Sequence, residues 1–295
     1  MGVLILTAYF LISDFRLGSS PVYPAITGLA LALLSGLAAR RYSMPKIAIL
    51  IECVLLLPLA GAVTVTATVI LARHSMPFVD PQLLAADAAL GFDWRQLFAL
   101  YQRYPGLMRT LDLVYTTLMP QLLLMPLALY FGAGERRLWW FLTAWVVAYC
   151  ITLMIFPFAP AAGPMNHFAI GPGAVPELHS TWQWQFAPLI AGLRSGEIRE
   201  LSQVLMGIVQ FPSFHAAGAV MLVWASLQLR WLGAPLVMLN LVMLFTTLIN
   251  GDHYLIDVLA GTVIGLVSIW LAGLLIVWQA KRAEQHHGAN ISPAT

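Results

Sequence analysis

The chain is expected to fold as an all-α, polytopic transmembrane bundle, and three observations predict it. Of its 295 residues, 60% are hydrophobic and 9% charged, and the mean hydropathy is +0.82. Soluble domains carry charge on about a quarter of their residues. The apolar residues are gathered into runs of roughly the 20 residues that a helical bilayer crossing requires. These runs are separated by short basic turns and by two long connections rich in aromatic residues. A formal charge of +2 does not point to nucleic acid as a partner. Cys53 and Cys150 both fall inside apolar runs, match no disulfide or metal spacing, and read as small hydrophobes.

In chain order, Met1 to Ile12 is apolar but lacks the basic start and small-residue cleavage site of a signal peptide, so it reads as a retained membrane segment. At about 12 residues it is short of a full crossing. Either residues 1–13 tilt partly into the interface or the true start lies upstream. Clear spans are expected at 22–39, 47–72, 107–131, 137–157, 215–231, 233–250 and 253–278, making seven, or eight with the N-terminal segment. Residues 1–73 then form N-terminal transmembrane helices, 74–278 a transmembrane domain that carries the motifs below, and 279–295 a polar cytoplasmic tail. His286 and His287 in that tail are expected to be disordered. Glu52 lies within a span, where a carboxylate costs about 2.5–3.5 kcal/mol at mid-depth, so it should sit near an end, protonated or hydrogen-bonded. Asp112 could pair with Arg109, three residues earlier.

Arg40, Arg41, Lys46, Arg136, Arg137, Arg230, Lys281 and Arg282 are packed into three tight turns and the tail, whereas the other seven basic residues are spread over the long connections and their edges. Short basic loops stay cytoplasmic, so the long connections are expected to face outward. With the turn at Arg230 inside, the helices that open at His215 and at His253 both descend from the outer surface. Their first turns can then share one pocket.

The first long connection, about 74–106, reads as two interfacial helices within 80–104. Asp80 is expected to cap the first helix ahead of Pro81, Gly91 to end it, and Asp93 to cap the second. Trp94, Leu97, Phe98 and Tyr101 recur at helical spacing, a stripe suited either to the headgroup level or to packing on the bundle. The second connection, 158–214, is long enough that function is expected of it, and its Trp182, Trp184 and Phe186 argue for a structured cap.

Two short segments carry the chemistry: Phe211-Pro212-Ser213-Phe214-His215 and Gly251-Asp252-His253-Tyr254-Leu255-Ile256-Asp257. Ionisable groups in so apolar a chain call for a functional reason. His253 and Asp257 are one helical turn apart, so the carboxylate can accept from one ring nitrogen and leave the other free as a nucleophile. His215 can then act as acid toward a leaving oxygen, a contribution of typically about 10²–10⁴-fold. Pro212 and Ser213 form a capped entrance, and the two helix N-termini offer backbone donors and positive dipole ends to a phosphate. A metal held by two histidines and a carboxylate is a competing reading, with no dedicated metal motif elsewhere in the chain. A transporter or a silent scaffold is another; transport calls for broken helices with polar residues at mid-depth, where these spans look nearly bare.

Phe-Pro-Ser-Phe-His215 followed by His253-Tyr-Leu-Ile-Asp257-Val-Leu-Ala-Gly261 resembles the second and third signature motifs of the type 2 phosphatidic acid phosphatase superfamily, nearest its inositol phosphorylceramide synthase branch. Asp87, the run Leu90 to Trp94, and Pro157-Phe-Ala-Pro160 are similar to that branch as well. The resemblance spans roughly 80–275. It implies a six-helix catalytic core with extra N-terminal helices, a phosphohistidine formed on His253, Asp257 as its orienting partner, His215 as acid, and no metal or other cofactor. Family phosphatases carry a Lys/Arg motif before the first signature histidine and an arginine six residues before the second. Thr247 stands at the latter position, and Gly163-Pro164 occurs where another arginine is expected. Arg194, Arg199, His167 and Arg109 are candidates to supply the phosphate contact, alongside Ser213 and Phe214. The expected function is phosphotransfer on a lipid-linked phosphate at the extracytoplasmic face, head-group transfer being favoured over hydrolysis.

Overall fold

The computed structural model describes residues 15–16, 22–176, 178, 182–201 and 207–289. The segment 1–13 lies outside the described residues. Every regular element among them is helical, apart from an isolated bridge between Arg16 and Glu200. Helices α1 (Val22–Arg41) and α2 (Pro45–Arg73) make an N-terminal hairpin. Proline at the first position of α2 starts that helix without losing a hydrogen bond. The Arg40 guanidinium donates from Nε to Glu52 at 2.6 Å, which is how a carboxylate within an apolar helix is satisfied.

Helices α3 (Asp80–Ala89) and α4 (Trp94–Gln102) follow. Asp93 caps α4 as expected, accepting from Arg95 N at 2.9 Å and Gln96 N at 3.3 Å. Asp80 does not cap α3; it lies inside the helix and its carboxylate is drawn to a better pair of donors, described below. The aromatic stripe packs on the bundle: Trp94, Phe98 and Tyr101 are buried, and Trp94 Nε1 donates to the Leu248 carbonyl at 2.8 Å.

The span expected at 107–131 is two helices, α5 (Pro105–Thr116) and α6 (Leu118–Gly132), bent by 43°. Pro120 accounts for the break, since its ring collides with a helical carbonyl four residues earlier, at Thr116. Helix α7 (Glu135–Ile155) is central. The second long connection holds the short helix α8 (Pro164–His167) and helix α9 (Phe186–Ser195), and α10 (Phe214–Ser226), α11 (Gly233–Thr246) and α12 (Leu255–Ala289) complete the fold. Among the described residues three helices, α2, α7 and α12 up to Arg282, are each long and apolar enough to cross a membrane, and α5 with α6 qualifies as a fourth, broken crossing. The apolar helices α10 and α11 have 13 and 14 residues, about 20 Å each, shorter than the expected runs 215–231 and 233–250. Helix α12 continues past residue 278, so the backbone at His286 and His287 is helical; the stretch 279–285 is built from good helix formers.

The main core gathers Leu138, Phe141, Leu142 and Trp145 of α7 against Ala217, Met221 and Leu222 of α10, with Met125 and Leu129 of α6. The interior is not bare of polar groups: Asn240 Nδ2 donates to Gln121 Oε1 at 2.8 Å, a buried interhelical bond of the kind that holds membrane helices together. What positions the site is the close approach of α12 to α10. A Cβ at Gly261 would lie 2.1 Å from the Ser213 carbonyl oxygen, so only glycine lets the two helix mouths meet.

Candidate active site

Ser213 is the N-cap of α10, its hydroxyl accepting from Ala216 N at 3.2 Å, and this fixes His215 in the first turn. His253 stands in the loop just ahead of α12, after Asp252, whose φ of 56° is a left-handed conformation that aspartate tolerates better than most residues. The imidazole Nδ1 of His253 lies 3.3 Å from Asp257 Oδ2, and the same oxygen accepts from Tyr254 N at 3.1 Å. Ser213 N donates to the Asp257 carbonyl at 3.2 Å, joining the two mouths through the backbone. The structure thus brings Ser213, His215, His253 and Asp257 into one cluster. Asp257 is fully buried and His253 is 4% exposed. Burial, and then the neighbouring charge of His215, push His253 down to about 3, while the Gln210 carbonyl acts the other way. Its imidazole is therefore neutral at physiological pH, the state a nucleophile needs.

Helix α3 braces this cluster from the side. Asp87 accepts from Leu255 N and Ile256 N, both at 2.8 Å, and so caps α12 from a distant part of the chain. Asp80 accepts from Ala162 N at 2.9 Å and from Gly163 N at 2.9 Å, and the Tyr254 hydroxyl donates to it at 3.1 Å. This corrects one expectation. The α12 mouth is not an open anion cradle, because Asp87 and Asp257 already take its first N–H groups. The carboxylates were drawn there by the same unpaired donors and dipole that would attract phosphate. Asp87→Ala should lower unfolding stability by about 1–3 kcal/mol, the sum of a lost cap and two stranded buried donors, read as a drop in the thermal midpoint.

A second brace comes from the connection that follows α7. Asp252 Oδ1 accepts from Met165 N at 2.7 Å, and the Gln210 amide donates to the Gly251 carbonyl at 3.1 Å and also to that of Asp252. Gly163, at φ +93°, presses so closely on Asp252 that a Cβ would sit 2.4 Å from Oδ2. Burial drives the Asp252 carboxyl well above the usual carboxylate range, opposed by the Met165 N–H and reinforced by Asp80. Asp87 is raised by burial too, with the Ile256 and Leu255 N–H groups holding it back. Asp80 and Asp87 stand two turns apart on one face of α3, and that spacing is the sequence signal for their shared bracing role; their targets lie in remote segments with no local signal.

The remaining candidates occupy other surroundings. Arg194 donates to Ser75 Oγ at 2.9 Å and to the Met76 carbonyl, and lies over the Phe78 ring, tying α9 to the exit of α2. Arg199 Nε donates to the Gly196 carbonyl at 2.7 Å. His167 meets Phe168 edge-on at 5.0 Å, and Arg109 is exposed on α5. The Phe214 ring stacks on Tyr149 at 4.6 Å, turned into the helix core. Among the described residues no group of three or more His, Cys, Asp or Glu side chains is arranged to hold a metal ion.

A helical membrane protein with two histidines and a carboxylate at adjoining helix mouths is the class that fold and site define together. The sequence pattern of the PAP2 superfamily matches residues 81–271, and the chain belongs to that superfamily. No curated protein and no solved structure matches the chain. The long apolar helices support an integral membrane protein, and membership supports the lipid phosphatase and phosphotransferase class, whose members act on a lipid phosphate. The match contains α3 apart from its first residue, Asp80, together with α12's mouth, both histidine motifs and the connection between α7 and α10.

Proposed function

We propose that the protein transfers a phosphate-bearing head group between lipids at the extracytoplasmic surface, through a phosphohistidine on His253, as the resemblance to the inositol phosphorylceramide synthase branch implies. The observation that carries this reading is the His253–Asp257 contact at 3.3 Å inside a buried mouth adjoining His215. With Asp257 accepting from Nδ1–H, Nε2 of His253 attacks phosphorus. The P–O bond to the departing alcohol breaks as the N–P bond forms, and His215 gives its proton to the leaving oxygen. In the second half His215 takes a proton from the acceptor hydroxyl, whose oxygen displaces His253. Transfer is favoured over hydrolysis because a nucleophile so thoroughly excluded from solvent protects its intermediate from water. With the α12 mouth closed by carboxylates, the α10 mouth at Ser213 and Phe214 is the helix end left to meet the phosphate.

The test offers purified protein a panel of head-group-labelled phospholipids with and without a lipid alcohol acceptor. Label moving to the acceptor lipid supports transfer; label released only to water, as the phosphorylated head group or, from a phosphomonoester lipid, as inorganic phosphate, assigns a hydrolase; label left in place in every mixture overturns the enzymatic reading. A chelator should leave the rate unchanged, and its abolition by chelation would contradict the metal-free route.

A further inference from the structure

The two histidines are held by partners of different chemical kind. His253 faces a carboxylate, whereas His215 faces the phenol of Tyr115, in the last turn of α5. The Tyr115 hydroxyl is 3.2 Å from His215 Nδ1, the two rings stack with centroids 4.2 Å apart at 14°, and Tyr115 is 6% exposed. The side-chain amide of Gln183, from the outer connection, reaches the same hydroxyl. Neither Tyr115 nor Gln183 stands in either histidine motif, and 100 residues separate Tyr115 from His215.

From this geometry we infer that Tyr115 is the positioning residue for His215, fixing its ring so that Nε2 alone exchanges protons with the leaving and attacking oxygens. The inference rests on the phosphohistidine reading above. In the charged ring both nitrogens carry protons, so the Tyr115 oxygen can only accept from Nδ1–H and Nε2 gives its proton to the leaving oxygen; the neutral ring left behind keeps Nδ1–H against the phenol and takes the acceptor's proton at Nε2. A carboxylate at this position would orient the ring equally well, but its charge would hold the imidazolium and oppose release of the proton. A neutral phenol orients without that penalty. The stacked face adds a second constraint, since the imidazole cannot swing about its side-chain bonds without losing the ring contact, and it offers a cation–π partner while the imidazole is charged. The nucleophile thus has a carboxyl group to orient it at Nδ1, and the acid has a phenol that orients it while letting it alternate between charged and neutral.

The test is Tyr115→Phe, which keeps the ring and removes the hydroxyl, assayed on two esters of the same phosphoryl group. One is an alkyl phosphate, whose alkoxide leaves only if protonated; the other is p-nitrophenyl phosphate, whose anion leaves unaided. The expected result is a fall in kcat of about 10-fold or more on the alkyl ester, within the range that acid catalysis supplies, with KM little changed and with almost no loss on the aryl ester. In a His215→Ala background, adding Tyr115→Phe should cost nothing further. Equal losses on the two esters, no loss on either, or an additive effect in the double variant would overturn the inference while leaving the phosphohistidine reading standing. Wild-type protein inert toward both esters, with or without an added alcohol, would remove that reading and this inference together.

Discussion

His253→Gln is expected to reduce phosphoryl release and transfer by at least about 10⁴-fold, the scale on which enzymes with covalent intermediates respond to loss of their nucleophile. Glutamine keeps much of the volume and polarity of the imidazole, so the mouth of α12 should stay formed. The backbone donors at Leu255 and Ile256 remain with Asp87. The measurement is initial rate on a labelled phospholipid, beside a thermal midpoint to show that the variant is folded. Asp257→Asn should give a smaller loss. The amide can still touch Nδ1, but it lacks the charge that steadies the ring as phosphorus is attacked, and its NH₂ group can turn toward the ring and select the wrong tautomer. A His253→Gln protein that retains a tenth or more of the wild-type rate would remove His253 from the chemistry.

Gly261→Ala is the second change with a large expected effect, and it acts without touching an ionisable group. The new methyl would begin 2.1 Å from the Ser213 carbonyl oxygen and 3.0 Å from the Ala216 methyl. Backbone cannot give way as a flexible side chain can, so α12 must slide from α10. Overpacking of this kind costs about 1–3 kcal/mol. The functional loss should exceed what that figure suggests, because the same shift parts His215 from His253 and strains the Ser213 N to Asp257 O bond. A displacement of about 1 Å in a catalytic geometry can cost on the order of 100-fold in rate. The expected outcome is a folded but less stable protein with kcat lowered by about 100-fold. Full activity would show that the two mouths need not lie so close.

How far the sequence carried the structure can be followed residue by residue. The apolar runs marked the helices because burial in lipid demands continuous apolar sequence, and the His253 to Asp257 spacing foretold their contact although His253 lies in the loop just ahead of α12 and not on its face. Asp93 was readable as a cap for the same reason. What escaped were consequences of tertiary contact. Asp80 was legible as a helix starter, yet its carboxylate serves Ala162, Gly163 and Tyr254, and nothing local distinguishes the two uses. The open anion cradle at α12 was a correct inference about an isolated helix end that Asp87 overturned from a remote segment. Tyr115 lies in a run that reads only as half a membrane span, and it meets His215 from the last turn of α5, just before the bend into α6. Pro120 signalled that bend, in a stretch whose apolarity masked it.

The central claim is that phosphorus becomes bonded to His253, and the most direct measurement is to trap it. Protein mixed with phospholipid bearing a labelled head-group phosphate, quenched in alkali within the first turnovers and digested, should yield a labelled peptide containing His253. The label should be stable to base and lost in acid, as an N–P bond requires. His253→Gln should take up none, and an added lipid alcohol should discharge the wild-type label into a new lipid. Label on another residue, or turnover with no protein-bound label at any quench time, would contradict the account.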